Sequence, residues 1–244
     1  LDRKTSKELN SRNNYYFPKR RILHRKIVAG LLEGYPSQSA PEINFMGGGT
    51  AVGKSMIRDF HLEELGEIGK DFIIIDCDRI KPLIPEYVHF LSEDKESAAD
   101  RVQAESSDIN DMLLEKALLK KAHILFDGTM KDSDYYGPLI QRIRALGYIV
   151  SAVIVHAPIE VAFMREEERF LIEKRRVPEH AIRDSHQRVS RSFMELKPLF
   201  DAYRLWDNSV QGSAPKVILK KLDRDSEEVT IDLVKVEEFF GKKV

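Results

Sequence analysis

The sequence predicts an α/β fold: a mostly parallel sheet with helices on both faces, closed by a C-terminal β-hairpin. Three observations lead there. Short apolar runs rich in Ile, Val and Phe recur at Glu42–Met46, Phe72–Ile75, His123–Phe126, Tyr148–Val155 and Tyr203–Trp206. Segments with apolar residues at helical spacing alternate with them, which is the order of crossover units in a parallel sheet. The chain of 244 residues, 42% hydrophobic and 9% aromatic, is also long enough for one substantial core.

Each element has its own signal. Residues 1–26 are polar and basic, with Arg20-Arg21 and Arg25-Lys26, and read as a frayed arm. Apolar spacing predicts a helix over Ile22–Leu32, which Gly34-Tyr35-Pro36 ends, so residues 1–41 form an N-terminal arm and helix ahead of a main domain at 42–244. The strand at 42–46 runs into a loop at Gly47–Gly53 and a helix over 54–65 with Met56, Ile57 and Phe60 on one face. Phe72–Ile75 ends in Asp76-Cys77-Asp78. Pro82–Ser107 is polar and helical in parts, and Ile109–Lys121 is an amphipathic helix. Helices over 135–146 and 159–174 flank the β-branched strand at 148–155. A helical region from Pro178 to Phe200 precedes the last parallel strand, and residues 217–236 read as a hairpin.

Composition narrows the function. A net charge of −1 with 32% charged residues gives no overall attraction to nucleic acid or to a membrane. No apolar run is long enough to cross a bilayer, and no leader pattern opens the chain. Cys77 is the single cysteine, which excludes an internal disulfide and fits a reducing compartment, so a cytoplasmic protein is expected. The seven histidines lack zinc-ligand spacing. The chain opens on Leu1, which fits a piece of a longer protein or a trimmed chain.

The chemistry starts at Gly48-Gly49-Thr50-Ala51-Val52-Gly53-Lys54-Ser55, which fits G-x-x-x-x-G-K-[ST]. Glycines let successive backbone N–H groups turn toward phosphate oxygens, and the following helix adds its positive end. Lys54 would reach the β- and γ-phosphates of a nucleoside triphosphate, and Ser55 would hold Mg²⁺. The strand before the loop and the helix after it supply the context that the motif needs.

Carboxylates end the neighbouring strands. Asp76 and Asp78 are two apart, so in extended chain both face the same way. One is a candidate general base for an acceptor hydroxyl, and the other would contact Mg²⁺ through water or cap the next turn. Asp127-Gly128-Thr129 closes the third strand, where Asp127 could serve Mg²⁺ or an acceptor hydroxyl and Thr129 the acceptor or a phosphate. Arg165, Arg169, Lys174, Arg175 and Arg176 crowd the segment after the fourth strand and suggest a cationic lid over residues 165–178.

Taken in order, the glycine loop, IDCDRIKPLIPEY (75–87), AESSDIN (104–110), ILFDGTM (124–130), EERF (167–170), KRRVP (174–178) and LWDNS (205–209) resemble the zeta toxin family of P-loop kinases. The resemblance covers Glu42 to Ser209 and implies a P-loop kinase-like three-layer fold. It implies a kinase using ATP or GTP with Mg²⁺ on a hydroxyl of a small molecule, above all a UDP-sugar such as UDP-N-acetylglucosamine. It selects Asp78 as the general base, assigns Lys54, Arg169 and Arg175 to the transferring phosphate, and puts Asp127 and Thr129 beside the acceptor. Glu105 and Asp111 fall in the acceptor-side region, 82–111. An antitoxin blocking the nucleotide site is the protein partner it implies. The loop departs from the family's usual G-x-P-G-[SA]-G-K at Gly49-Thr50-Ala51-Val52. Related kinases act on dinucleotides, antibiotics or polynucleotide 5′ ends, and a non-catalytic nucleotide-binding module is a further alternative. The acidic stretch from Glu93 to Asp111 argues against a nucleic-acid acceptor.

Overall fold

All five apolar runs form strands of one sheet in the computed structural model, which describes residues 4–66, 68–173 and 177–241. The first half of the chain comprises α1 (Ser6–Asn10), β1 (Ser11–Arg12), β2 (Tyr15–Tyr16), α2 (Pro18–Leu32), β3 (Glu42–Gly48), α3 (Lys54–Glu64), β4 (Phe72–Ile75), α4 (Cys77–Ile80), α5 (Glu86–Glu93) and α6 (Lys95–Lys120). The second comprises β5 (His123–Asp127), α7 (Ser133–Ala145), β6 (Ile149–His156), α8 (Ile159–Glu173), α9 (Glu179–Leu196), β7 (Ala202–Asp207), β8 (Lys216–Lys221), β9 (Val229–Thr230) and α10 (Leu233–Phe240). The sheet runs β4-β5-β3-β6-β7-β8-β9. Its first five strands are mutually parallel, and β8 and β9 add the antiparallel hairpin.

Alternation along each strand separates two cores. Ile43 and Phe45 of β3 pack with Ile73, Ile75, Ile124 and Phe126 beneath α6, α7 and α9. Met46 packs with Leu125, Val153 and Val155 on the opposite face, covered by Ile57 of α3 and by Trp206. Phe45 is fully buried, so truncation to alanine there would cost about 3–5 kcal/mol. Among the described residues no helix is long and apolar enough to cross a membrane.

Three elements differ from the sequence expectation. The helix expected from Ile109 begins at Lys95, capped by the Asp94 side chain. Its inward positions include Glu105, Ser106 and Asn110, all buried, and these polar residues break the apolar period that would have revealed it. The C-terminal hairpin is present, but its second strand is only Val229–Thr230. Asp232 then accepts from Lys235 N–H and starts α10, which buries Val236 and Phe239.

The N-terminal segment also departs from the frayed-arm expectation: residues 4–32 form α1, a small hairpin and α2, packed on α6. A charge cluster holds them. Arg20 Nε lies 2.5 Å from Glu105 Oε1, and its Nη2 donates to Glu105 Oε2 and to Glu86 Oε2. His24 Nε2 is 2.6 Å from Glu105 Oε1, and Tyr16 donates its hydroxyl to Asp108. Burial alone would raise the Glu105 pKa, but hydrogen bonds from His24 and Arg20 hold it down at about 2.

Removing Arg20 leaves that carboxylate buried without its guanidinium, so Arg20→Met should cost about 3–5 kcal/mol in urea unfolding at neutral pH. Glu105→Gln should also destabilise. A carboxyl held low in the folded state adds stability above its ordinary pKa of 4.5, and this is lost as pH falls toward about 2. The wild-type advantage over Glu105→Gln should therefore close across that window.

Candidate functional site

The site forms where the parallel strands end. β3 is paired on both sides, with Met46 opposite Asp127 of β5 and Gly48 opposite Val155 of β6. Ile75 of β4 pairs with Phe126, so the next residues, Asp76 and Asp127, leave adjacent strands side by side. Such strand ends flank the crevice where parallel α/β sheets bind ligands. Here the crevice is a cleft of about 550 Å³.

The glycine loop enters α3 through Gly53, whose φ of +86° suits glycine. A Cβ there would lie 2.4 Å from Asn208 Nδ2. That amide donates to Val52 O at 2.8 Å, and Arg165 Nη1 donates to the same carbonyl at 3.1 Å. Arg165 Nη2 also donates to Asn208 O at 2.8 Å, closing a brace on this side of the loop. Lys54 folds back so that its Nζ donates to Gly48 O and Gly49 O at 3.1 and 3.2 Å. Burial pushes its ammonium pKa down, Asp127 opposes the shift, and Arg169 adds to it.

Arg58 joins the carboxylates. It stands four residues beyond Lys54, on the same face of α3. Its Nη1 donates to Asp127 Oδ2 at 3.0 Å and lies 3.7 Å from Asp76 Oδ2. Asp76 Oδ1 accepts the Asp78 N–H at 2.8 Å and so caps α4. Burial raises the Asp127 pKa despite Arg58 and Lys54. Burial raises that of Asp76 as well, and Asp127 adds to the shift. Asp78 lines the cleft with its side chain 80% exposed and 2.7 Å from Lys81 Nζ.

The cleft thus gathers Ala51 to Ser55, Asp78, Asp127, Thr129 and Arg169 from the residues singled out in the sequence. Gly48, Gly49 and Thr50 are not among its lining residues. Glu105 does not reach it: its side chain is fully buried and bonded to Arg20 and His24, which corrects the acceptor-side expectation. Asp111 is exposed on α6, outside the cleft lining, with Asp108 and Glu115 as charged neighbours. Arg175 lies outside the described residues.

Sequence reasoning missed Arg58, Asn208 and Glu166. The i,i+4 spacing from Lys54 was the available signal for Arg58. Glu166 is buried, pairs through Oε2 with Arg169 Nη2 at 2.5 Å, and accepts the Val177 N–H through Oε1 at 2.8 Å. It ties the cationic face of α8 to the segment leading into α9.

The sequence profile of the zeta toxin family matches residues 28–214. Among solved structures, the chain is similar to one from the PezAT chromosomal toxin–antitoxin system of Streptococcus pneumoniae. That likeness has 18% identity and a TM-score of 0.69, covering 94% of this chain and 90% of that one. It is also similar to a chain of the AvrRxo1-ORF1:AvrRxo1-ORF2 structure with sulphate ions, at 16% identity and a TM-score of 0.78, covering 100% of this chain and 84% of that one. The AvrRxo1-ORF1:-ORF2 structure with ATP gives 16% identity and 0.76, covering 100% and 83%. At these identities the structural likeness establishes the fold. Comparison with curated proteins finds no match.

The raised pKa values make a prediction about stability. A carboxyl with a raised folded-state pKa costs stability as pH climbs from its ordinary value through the folded one. Asp127→Asn removes that cost, so its melting temperature relative to wild type should rise as pH is taken from about 4 to 7. Thermal unfolding of both proteins without nucleotide checks this; a difference that stays flat or falls contradicts it.

Proposed function

The chain belongs to the zeta toxin family, and from that premise we propose that it is a kinase moving the γ-phosphate of ATP or GTP to a hydroxyl of a small molecule. The family resemblance favours a UDP-sugar such as UDP-N-acetylglucosamine as the acceptor. One observation carries the reading: a single cleft is walled by Ala51 to Gly53 of the glycine loop, Lys54, the carboxylates of Asp76, Asp78 and Asp127, and Arg169. Phosphoryl transfer needs this combination, because its loose transition state depends on positioning and on charge around the phosphate.

Each residue has a task in this reading. Backbone N–H groups from Ala51 to Ser55 would hold the donor phosphates, and Lys54 would leave its carbonyl partners to meet them. A second cavity, about 530 Å³, shares Gly53 and Arg165 with the cleft and is walled by Met56, Phe60 and Val210. Its apolar lining suits the nucleotide base. Asp78 would take the proton of the acceptor hydroxyl. Its carboxylate is largely exposed at the cleft with Lys81 as its ion-pair partner, whereas Asp76 is committed to capping α4 and to Arg58. Arg169, oriented by Glu166, would meet charge on the transferring group, and Arg175 is assigned beside it from the family pattern. Thr129 would contact the acceptor.

Mg²⁺ fits the donor set. Ser55 and Asp127, with Asp76 beside them, present oxygen atoms, and a phosphate-bound Mg²⁺ needs only one or two protein carboxylates. Ser55 and Asp127 would hold it, and it would supply positive charge to the phosphates. PezAT is a toxin–antitoxin system, and by analogy an antitoxin covering the cleft is the protein partner proposed.

The test uses purified protein with ATP, Mg²⁺ and UDP-N-acetylglucosamine, with the phosphorylated sugar nucleotide followed by chromatography. Lys54→Ala and Asp78→Asn should each lower turnover by at least about a hundredfold. Asp78→Asn should keep its nucleotide affinity and its fold. Full turnover by Asp78→Asn on an accepted substrate would reject its role as the base.

A further inference from the structure

Thr50 stands at the outer turn of the glycine loop, and α9 takes its polar groups. Its N–H donates to Ser185 Oγ at 2.9 Å. Its carbonyl accepts from His186 Nε2 at 2.9 Å, which requires the proton on that nitrogen. Ser185 Oγ is also 3.1 Å from Thr50 Oγ1 and 2.8 Å from Ile182 O, so its one hydrogen serves one of these two. Ser185 and His186 are both buried. The His186 ring covers Gly49 so closely that a Cβ there would lie 2.2 Å from its Cδ2.

The loop is therefore held from two sides. Asn208 and Arg165 grip the Val52 carbonyl, and Ser185 and His186 grip the Thr50 peptide. Between the grips, Ala51 adopts a φ of +60°, a left-handed conformation that a non-glycine residue keeps only where its surroundings impose it. The wall of the cleft begins at this residue. Fixing the Thr50 peptide thus sets where the next N–H groups point.

We infer that Ser185 and His186 are positioning residues of the donor site: by holding Thr50, they keep the phosphate loop in the conformation that receives a nucleotide. The inference rests on the kinase reading above and adds to it two residues on α9 that touch neither the cleft nor the acceptor. If their role were only to pack α9, their loss would lower stability without singling out the nucleotide.

The experiment measures nucleotide dissociation constants, KM for nucleotide and for acceptor, kcat and melting temperature for wild type, Ser185→Ala, His186→Ala and His186→Gln. Loss of one hydrogen bond that orients the loop should weaken nucleotide binding about tenfold. The acceptor KM should stay within about twofold, because the acceptor end of the cleft is untouched. His186→Gln retains an N–H donor at similar reach and should recover most of the affinity that His186→Ala loses. Ser185→Ala and His186→Gln decide the matter if His186→Ala does not fold. Unchanged nucleotide affinity in folded variants overturns the inference, as does a glutamine variant no better than alanine. Wild-type protein that binds no nucleotide would instead defeat the donor-site reading itself.

Discussion

The cleft depends on β3 being the central strand of a parallel sheet. Hydrogen-bonded to β5 on one side and β6 on the other, and buried on both faces, β3 cannot shift register without moving its core residues to the wrong layer. Parallel pairing brings the ends of β4 and β5 to the same edge. Asp76 and Asp127 therefore arrive beside the glycine loop as a consequence of packing. Like charges at that edge repel, and Arg58, projecting from the helix that the loop starts, reaches both.

The compensation is partial. Both carboxyl groups keep raised pKa values, and the Lys54 ammonium is pushed down by burial with Arg169 nearby. A half-desolvated site with charges of both signs costs stability until a ligand completes it. The N-terminal cluster follows the opposite logic: Arg20 and His24 pair with the buried Glu105 so well that its carboxyl is held far below its ordinary range. Among the described residues, a buried ionic cluster thus fastens α2 to α6, while the charges at the cleft are only partly compensated.

The layout of the sheet was legible because its signals are local. Each of the five parallel strands lies within two residues of the apolar run that announced it, and the glycine motif sits between its strand and helix as read. The second half of the tail was not, because Val229-Thr230-Ile231-Asp232-Leu233 alternates like a strand until the Asp232 cap turns it into α10. Long-range partners were also out of reach. Arg20 meets Glu105 across 85 positions, and Thr50 meets Ser185 across 135. No periodicity in one segment encodes such pairs: the family pattern puts Glu105 on the acceptor side without revealing its partners Arg20 and His24, and nothing local to Ser185 or His186 points to Thr50. Arg58 is different, since its spacing from Lys54 was local.

The function proposed for the cleft of this zeta toxin family member is transfer to a small-molecule hydroxyl. Mass spectrometry of a mixed pool of sugar nucleotides and other small metabolites, incubated with the protein, Mg²⁺ and ATP labelled at the γ-phosphate, tests it most directly. If so, the label should appear on a hydroxyl of one acceptor class, with sugar nucleotides foremost. Label that stays on ATP, or emerges only as inorganic phosphate with every metabolite unmarked, would contradict it.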